Sequence, residues 1–150
     1  MHARAVERAM ELLEVASSIA RREILARVYY EVDLGEPVTV GAFSYISSSL
    51  RLIGLENVFA REPAAYMRPD FRRLAELEPD VIIYEARDES IAPGDVERMF
   101  RDRGLEELKA IREGRVIVLG PDSLAHYGPS HFKTLAELAK NVEDLVGRSP

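Results

Sequence analysis

Glu78-Pro79-Asp80-Val81-Ile82-Ile83-Tyr84 is the stretch of sequence that decides the fold. Pro79 blocks the continuation of a helix, and a continuous apolar run rich in β-branched residues follows it. This run is too short for a helix and too uniformly apolar for a strand with one solvated face. It therefore predicts a central strand of a parallel sheet that is covered on both faces. Sheets of this kind bind their ligands at the carboxyl ends of the strands, which here is segment 84–88.

Helix and strand patterns alternate on both sides of this run. The alternation predicts an α/β fold, a three-layer sandwich with a mostly parallel central sheet. We expect a long helix within residues 1–27, with residues 28–150 forming one α/β ligand-binding lobe. Apolar spacing places the long helix at 3–27. Further strands are predicted at 28–32, 38–41, 57–59 and 115–119, and a loop at 61–69. Helices are predicted at 46–53, 70–77 and 129–146, and another runs through 96–100, is interrupted at Gly104 and continues for a turn or two at 105–111.

Composition excludes several classes of function. The formal net charge of -6 argues against nucleic acid as a partner, because phosphate binding needs clustered Lys and Arg. The absence of cysteine excludes disulfides and thiol chemistry. Arg far outnumbers Lys and Gln is absent, a composition that suits a thermophile. Glu7, Glu11 and Glu14 interrupt the apolar start, so it is not a signal peptide. If the protein is exported, we expect its signal to lie outside this chain.

Five phrases, in order, resemble one protein family. The phrases are Val40-Gly41-x-x-Ser44-Tyr45-Ile46, Leu52-Ile53-Gly54-Leu55-Glu56-Asn57-Val58, Leu77-Glu78-Pro79-Asp80-Val81-Ile82-Ile83, Leu108-Lys109-Ala110-Ile111-Arg112-Glu113-Gly114-Arg115-Val116 and Tyr127-Gly128-Pro129-Ser130. The set as a whole is similar to the C-terminal lobe of the periplasmic solute-binding proteins that serve ABC importers of cobalamin, ferric siderophores and haem. The resemblance covers residues 28–146, and helix 3–27 resembles the helix that joins the two lobes in that family.

The resemblance implies a solute-binding component that captures a metal chelate between two lobes and delivers it to an ABC permease. Such a protein works outside the cytoplasm, in the periplasm or tethered to the cell surface. Only one lobe is present, so the N-terminal lobe would be a missing partner. The alternative is a stand-alone α/β binding or interaction module without a transport role. Such a module would have exposed apolar surface, which favours a homodimer.

The loops at the strand ends supply the candidate ligand-binding residues. Aromatic rings with a few polar tips suit a large planar or macrocyclic ligand. An arginine there can pair with a carboxylate or with the charge of a chelate. The alternatives are helix packing for Phe43 and Tyr45, and a solvated pair for Arg87 and Asp88. The candidates are Phe43, Ser44, Tyr45, Tyr84, Arg87, Asp88, His126 and Tyr127.

No metal ligand, cofactor or catalytic residue is predicted. His126 and His131 are separated by Gly128-Pro129, so they do not share a helix face, and any metal would enter inside the chelate. No phosphate-binding loop, nucleophile elbow or acid–base pair is present, and the acids at 85–89 have the pattern of solvated loop surface. Members of the family often carry a glutamate where this chain has Arg72. Arg72 and its acidic neighbours Asp70 and Glu76 are therefore the candidate permease-docking residues.

Overall fold

A computed structural model describes residues 2–21 and 23–147. The helices are α1 (His2–Ile19), α2 (Tyr45–Leu52), α3 (Phe71–Leu77), α4 (Pro93–Asp102), α5 (Lys109–Arg112) and α6 (His131–Val146). The strands are β1 (Ala26–Asp33), β2 (Pro37–Val40), β3 (Leu55–Asn57), β4 (Tyr66–Met67), β5 (Val81–Glu85) and β6 (Val116–Leu119).

The strands form one mixed sheet in the order β4-β2-β1-β5-β6. β1 pairs in parallel with β5, and β5 pairs in parallel with β6. The other edge of β1 is shared: β3 pairs with its first half in parallel, and β2 pairs with its end in an antiparallel direction. The carboxyl ends of β1, β5 and β6 therefore meet at one edge of the sheet.

Two apolar cores lie on opposite faces of the sheet. One face packs against α2 and α6 through residues such as Leu50 and Leu135. The opposite face packs against α3, α4 and α5 through Leu74, Phe100 and Ile111. The buried run 81–84 contributes side chains to both faces, as its uniform apolarity predicts. The predicted three-layer α/β sandwich with a mostly parallel sheet is confirmed.

The first helix is shorter than the prediction of 3–27. It ends at Ile19, and Ala26 already belongs to β1. The reason is tertiary: the Arg21 amide donates to Leu52 O at 2.8 Å, and the Leu25 amide donates to Gly54 O at 2.7 Å. These bonds tie the segment to the α2–β3 turn and override its helical pattern. Parts of the predicted segments lie outside the described residues: Arg22 of the predicted helix, Met1 of the first predicted segment and residues 148–150 of the predicted lobe.

Local signals fix the start and end of α2. The Ser44 hydroxyl accepts a hydrogen bond from the Ile46 amide at 3.1 Å, so Ser44 is the N-cap. Gly54, with φ of 83°, follows the helix in the left-handed region that glycine favours. β4 pairs with β2 inside the segment 61–69 that the sequence predicts as a loop. Its two residues are too few to give an alternating pattern.

Candidate functional site

A buried carboxylate organises the carboxyl edge of the sheet. Glu85, the last residue of β5, is only 1% exposed. Its Oε1 accepts hydrogen bonds from the Tyr30 hydroxyl at 2.9 Å, the Leu124 amide at 2.7 Å and the Ala125 amide at 3.1 Å. Burial raises the pKa of Glu85, although these three hydrogen bonds favour the charged form. Glu85 therefore joins the centre of the sheet to the loop that follows β6.

Tyr45 fastens the same loop from the side of α2. Its hydroxyl donates to the Leu124 carbonyl at 2.6 Å. Its ring meets the Tyr127 ring edge to face, with 5.6 Å between the centroids. Burial and the neighbouring Tyr66 and Glu85 raise the pKa of Tyr45, so it remains a neutral hydrogen-bond donor. The predicted ligand residues Tyr45 and Tyr127 are thus in direct contact.

His131 lies beneath this aromatic pair at the start of α6. Its ring centroid lies 4.9 Å from that of Tyr127 and 5.8 Å from that of Tyr45. Nε2 shares a hydrogen bond with the Ser49 hydroxyl at 2.8 Å, whereas Nδ1 is buried without a hydrogen-bond partner. Burial lowers the pKa of His131, which favours the neutral imidazole. Its ring supports Tyr127 from below.

Three aromatic side chains are exposed around this cluster. Phe43 is 72% exposed, Tyr127 61% and Tyr66 47%. Phe43 precedes the Ser44 cap of α2, and Tyr66 lies on β4 beside Tyr45. We call Phe43, Tyr45, Tyr66 and Tyr127 the aromatic face. Exposed rings on a rigid support are suited to stacking against the apolar faces of a large ligand.

The structure places the other predicted ligand residues differently. Ser44 is buried and uses its hydroxyl for the helix cap. Tyr84 is also buried, and burial with the nearby carboxylates of Asp33 and Glu31 raises its pKa to about 12. Both residues support the site from within the fold.

Arg87, Asp88 and His126 are exposed on the loops after β5 and β6. Asp88 accepts hydrogen bonds from the amide and the hydroxyl of Ser90, which hold it within its own loop and lower its pKa. The guanidinium of Arg87 lies beside Gly35, in the turn between β1 and β2. Arg87 is therefore at the same sheet edge as the aromatic face, near the end of β1.

The three candidate docking residues lie together on α3. Asp70 caps the helix, accepting a hydrogen bond from the Arg73 amide at 3.1 Å. Glu76 pairs with Arg73 at 3.1 Å, and both side chains are more than half exposed. Arg72 is exposed on the same helix. The group therefore presents mixed charge to solvent.

Sequence reasoning misplaced Glu85 and missed Tyr30 and Tyr66. Glu85 is not the solvated acid that the run at 85–89 predicts, because β5 extends one residue further and carries it into the core. Tyr30 lies in a strand that reads as ordinary core, and Tyr66 lies in the predicted loop. The strand period places Ile83 and Glu85 on one face of β5, but only the pairing of Tyr30 with Ile83 puts Tyr30 on that face.

A concavity of about 310 Å³ lies at the end of the sheet opposite the aromatic face. Its lining includes Arg27, Arg61 and Arg73 together with Glu56 and Glu62.

In the part of the chain that the structure describes, no group of three His, Asp or Glu residues could hold a metal ion. No helix among the described residues has the length and apolarity needed to cross a bilayer.

The sequence model of the periplasmic binding proteins matches residues 3–123, well over half of the chain. The chain belongs to the periplasmic binding protein family. No curated protein matches it significantly. The match covers most of the sheet and every predicted ligand residue except His126 and Tyr127.

Solved structures of similar fold include several substrate-binding proteins. The vitamin B12 binding protein BtuF of Vibrio cholerae is 19% identical, with a TM-score of 0.72 over 93% of this chain and 52% of its own. The heme complex of S. aureus IsdE is 20% identical, with a TM-score of 0.73 over 93% of this chain and 57% of its own.

A protein from an Fe3+-hydroxamate transport system of Saccharomonospora viridis is 18% identical, with a TM-score of 0.69 over 97% of this chain and 50% of its own. At these identities the similarity establishes the fold. The chain spans about half the length of these periplasmic binding proteins.

Proposed function

We propose that this chain is the C-terminal lobe of the substrate-binding component of an ABC importer, and that it takes a metal chelate such as a ferric siderophore, cobalamin or haem. The aromatic face is the observation that carries the proposal. It places exposed rings beside the carboxyl ends of the parallel strands, within a fold shared with a vitamin B12 binding protein, a protein solved with heme and a protein of an Fe3+-hydroxamate transport system.

The ligand would lie against Phe43, Tyr66 and Tyr127, with Tyr45 beneath the last of these. Arg87 and His126, exposed on neighbouring loops, supply the polar contacts at the rim. Ser44, Tyr84 and Asp88 act indirectly, because their polar groups are already engaged within the fold. The chelate carries its own metal, and binding needs no chemical step.

The partners follow from the same proposal. A second, N-terminal lobe would close the other side of the ligand, since the solved relatives are about twice as long. The complex would work outside the cytoplasm and dock on an ABC permease through α3, with Asp70, Arg72 and Glu76 at the contact. The mixed charge of that group would call for a permease surface that also carries both signs.

One observation favours the alternative of a self-associating module. Val6 and Met10, one turn apart on α1, are each 56% exposed. In a two-lobed protein the other lobe can cover them, whereas in a stand-alone module a second copy would. Light scattering after size exclusion distinguishes the two, because the module predicts a dimer that V6E or M10E converts to a monomer.

Absorbance titration tests the leading proposal. Haemin, cyanocobalamin and a ferric hydroxamate are titrated separately into the purified chain and into the double variant F43A/Y127A. Saturable 1:1 binding of at least one chelate, weakened in the double variant, supports the proposal. Binding of none of the three, or equal binding by the wild type and the double variant, contradicts it.

The prediction of a thermophilic origin stays a prediction, which a thermal melt tests.

A further inference from the structure

Glu85 holds a loop, not another element of secondary structure. Its carboxylate binds the amides of Leu124 and Ala125, and Oε2 adds a longer contact of 3.2 Å to the Ala125 amide. Both residues belong to the segment 120–128 between β6 and α6. The third donor, the Tyr30 hydroxyl, comes from the neighbouring strand and binds the same oxygen, Oε1.

Leu124 is held by both of its backbone polar groups. Its amide donates to Glu85, and its carbonyl accepts from Tyr45 at 2.6 Å. Its side chain is fully buried in the core shared by β1, β5 and α6. Two backbone hydrogen bonds and a buried side chain restrict the conformations of Leu124, and they also restrict those of the residues that follow it.

Tyr127 lies three residues further along this loop. Its ring contacts Tyr45 and His131, which orient it, and most of the side chain remains exposed to solvent. Burying a carboxylate costs free energy, which the hydrogen bonds to Tyr30, Leu124 and Ala125 offset. The Glu85 carboxylate therefore helps to order the loop 120–128.

We propose that Glu85 is the positioning residue of the ligand site: it fixes the loop 120–128 so that Tyr127 and the aromatic face are preorganised for the ligand. The role of the loop in binding rests on the proposed function, whereas the fixing of the loop does not. Preorganisation raises affinity because a loop that is already ordered loses little conformational entropy when the ligand binds.

Glu31 provides a matched control. It is as deeply buried as Glu85, lies on the adjacent strand and faces the opposite core, where it pairs with Arg103 and Tyr29. It does not touch the loop. E31Q and E85Q each remove one buried carboxylate charge from the same sheet. E31Q also weakens the ion pair with Arg103, so loop exchange in both variants is compared with exchange at Ile83, and only E85Q changes the support of the loop.

Two measurements on the whole chain test the proposal. Hydrogen exchange is first followed at the Leu124 and Ala125 amides, with the amide of Ile83 reporting on global stability. We expect exchange at Leu124 and Ala125 to rise at least about tenfold in E85A and by a smaller factor in E85Q, while Ile83 changes less and E31Q leaves the loop amides unchanged relative to Ile83. Equal exchange of the loop amides in wild type and E85Q overturns the positioning role.

The second measurement is the Kd of whichever chelate the wild type binds. We expect E85A to raise it at least about tenfold and E85Q to raise it less, because glutamine keeps one acceptor oxygen for the loop. If E85A does not fold, E85Q carries the comparison against E31Q. An unchanged Kd in E85Q with a mobile loop overturns the link to ligand binding. Lack of chelate binding by the wild type refutes the proposed function, while the exchange result still decides the positioning role.

Discussion

The Arg103 guanidinium binds the Glu31 carboxylate through two parallel hydrogen bonds, of 2.8 Å and 3.0 Å. The Glu31 side chain is 1% exposed and that of Arg103 16%. The guanidinium also lies over the rings of Phe71 and Phe100, at 4.7 Å and 4.9 Å from their centroids. One side chain thereby joins the central strand β1 to α4 and to the first residue of α3.

We expect R103M to lower the free energy of unfolding by about 3–5 kcal/mol, because it leaves the buried Glu31 carboxylate without its counter-ion. Urea denaturation measures the change. R98M is the control: Arg98 pairs with Asp95 at 3.1 Å on the surface of the same helix, so its loss should cost at most about 1 kcal/mol. Equal effects of the two variants would contradict a dominant role for the buried pair.

Replacing Phe43 or Tyr127 singly should weaken chelate binding. F43A should leave stability unchanged, whereas Y127A should lower it by about 0.5–1.5 kcal/mol, because its ring packs on Tyr45 and His131. Both rings are exposed, and one aromatic contact contributes about 0.5–1.5 kcal/mol, so we expect a rise in Kd of about two- to tenfold for each alanine variant. Titration by absorbance gives the Kd, and thermal melting gives the stability. V6A, which truncates an exposed apolar residue on α1, serves as the control and should alter neither.

Gly41 is required for a close approach of two backbone segments. A Cβ atom there would lie 2.6 Å from the carbonyl oxygens of Glu62 and Ala64. We expect G41A to destabilise the protein by about 1–3 kcal/mol, because the segment joining β3 to β4 would have to move. G94A is the matched control: no atom lies within 4 Å of a Cβ built at that helical position. There alanine should be neutral or slightly stabilising, as urea denaturation will show.

Burial of His131 gives a defined pH dependence. Because the pKa of His131 is lowered in the folded state, the unfolded chain binds a proton more readily below about pH 6.5. The contribution of the neutral ring to stability is therefore present above that pH and is lost as the pH falls. Denaturation midpoints measured from pH 7.5 to pH 5.5, an interval of about one unit on either side of the ordinary pKa, should fall less in H131Q than in wild type. An equal fall in the two proteins would contradict the role of His131.

The sequence predicts the fold because most elements carry a strong local signal. The apolar run at 81–84 and the apolar spacing of α6 specify their elements without distant partners. The end of α1 is different. Residues 20–25 have helical spacing in the sequence, but the amides of Arg21 and Leu25 bind the carbonyls of Leu52 and Gly54, which are distant in sequence, and the helix ends at Ile19.

The site is less predictable, because its residues are joined by pairings that are distant in sequence. Loop position alone identifies Phe43 and Tyr127 as exposed aromatics, and the structure shows this exposure. The same reasoning does not separate Tyr84, which turns into the core, from its neighbour Arg87, which is exposed. The role of Glu85 depends on contacts with Tyr30 and Leu124, which are 55 and 39 residues away in the chain.

The most direct test of ligand capture at the aromatic face is to map the amide chemical shifts of the chain as a chelate is added. With a diamagnetic ligand such as cyanocobalamin, or a gallium-substituted hydroxamate, we predict saturable shifts at Phe43, Tyr66 and residues 124–128. The lining of the arginine-rich concavity at the other end of the sheet should not respond. Shifts centred on Arg27, Arg61 and Arg73, or no saturable shift with either chelate, would contradict the account.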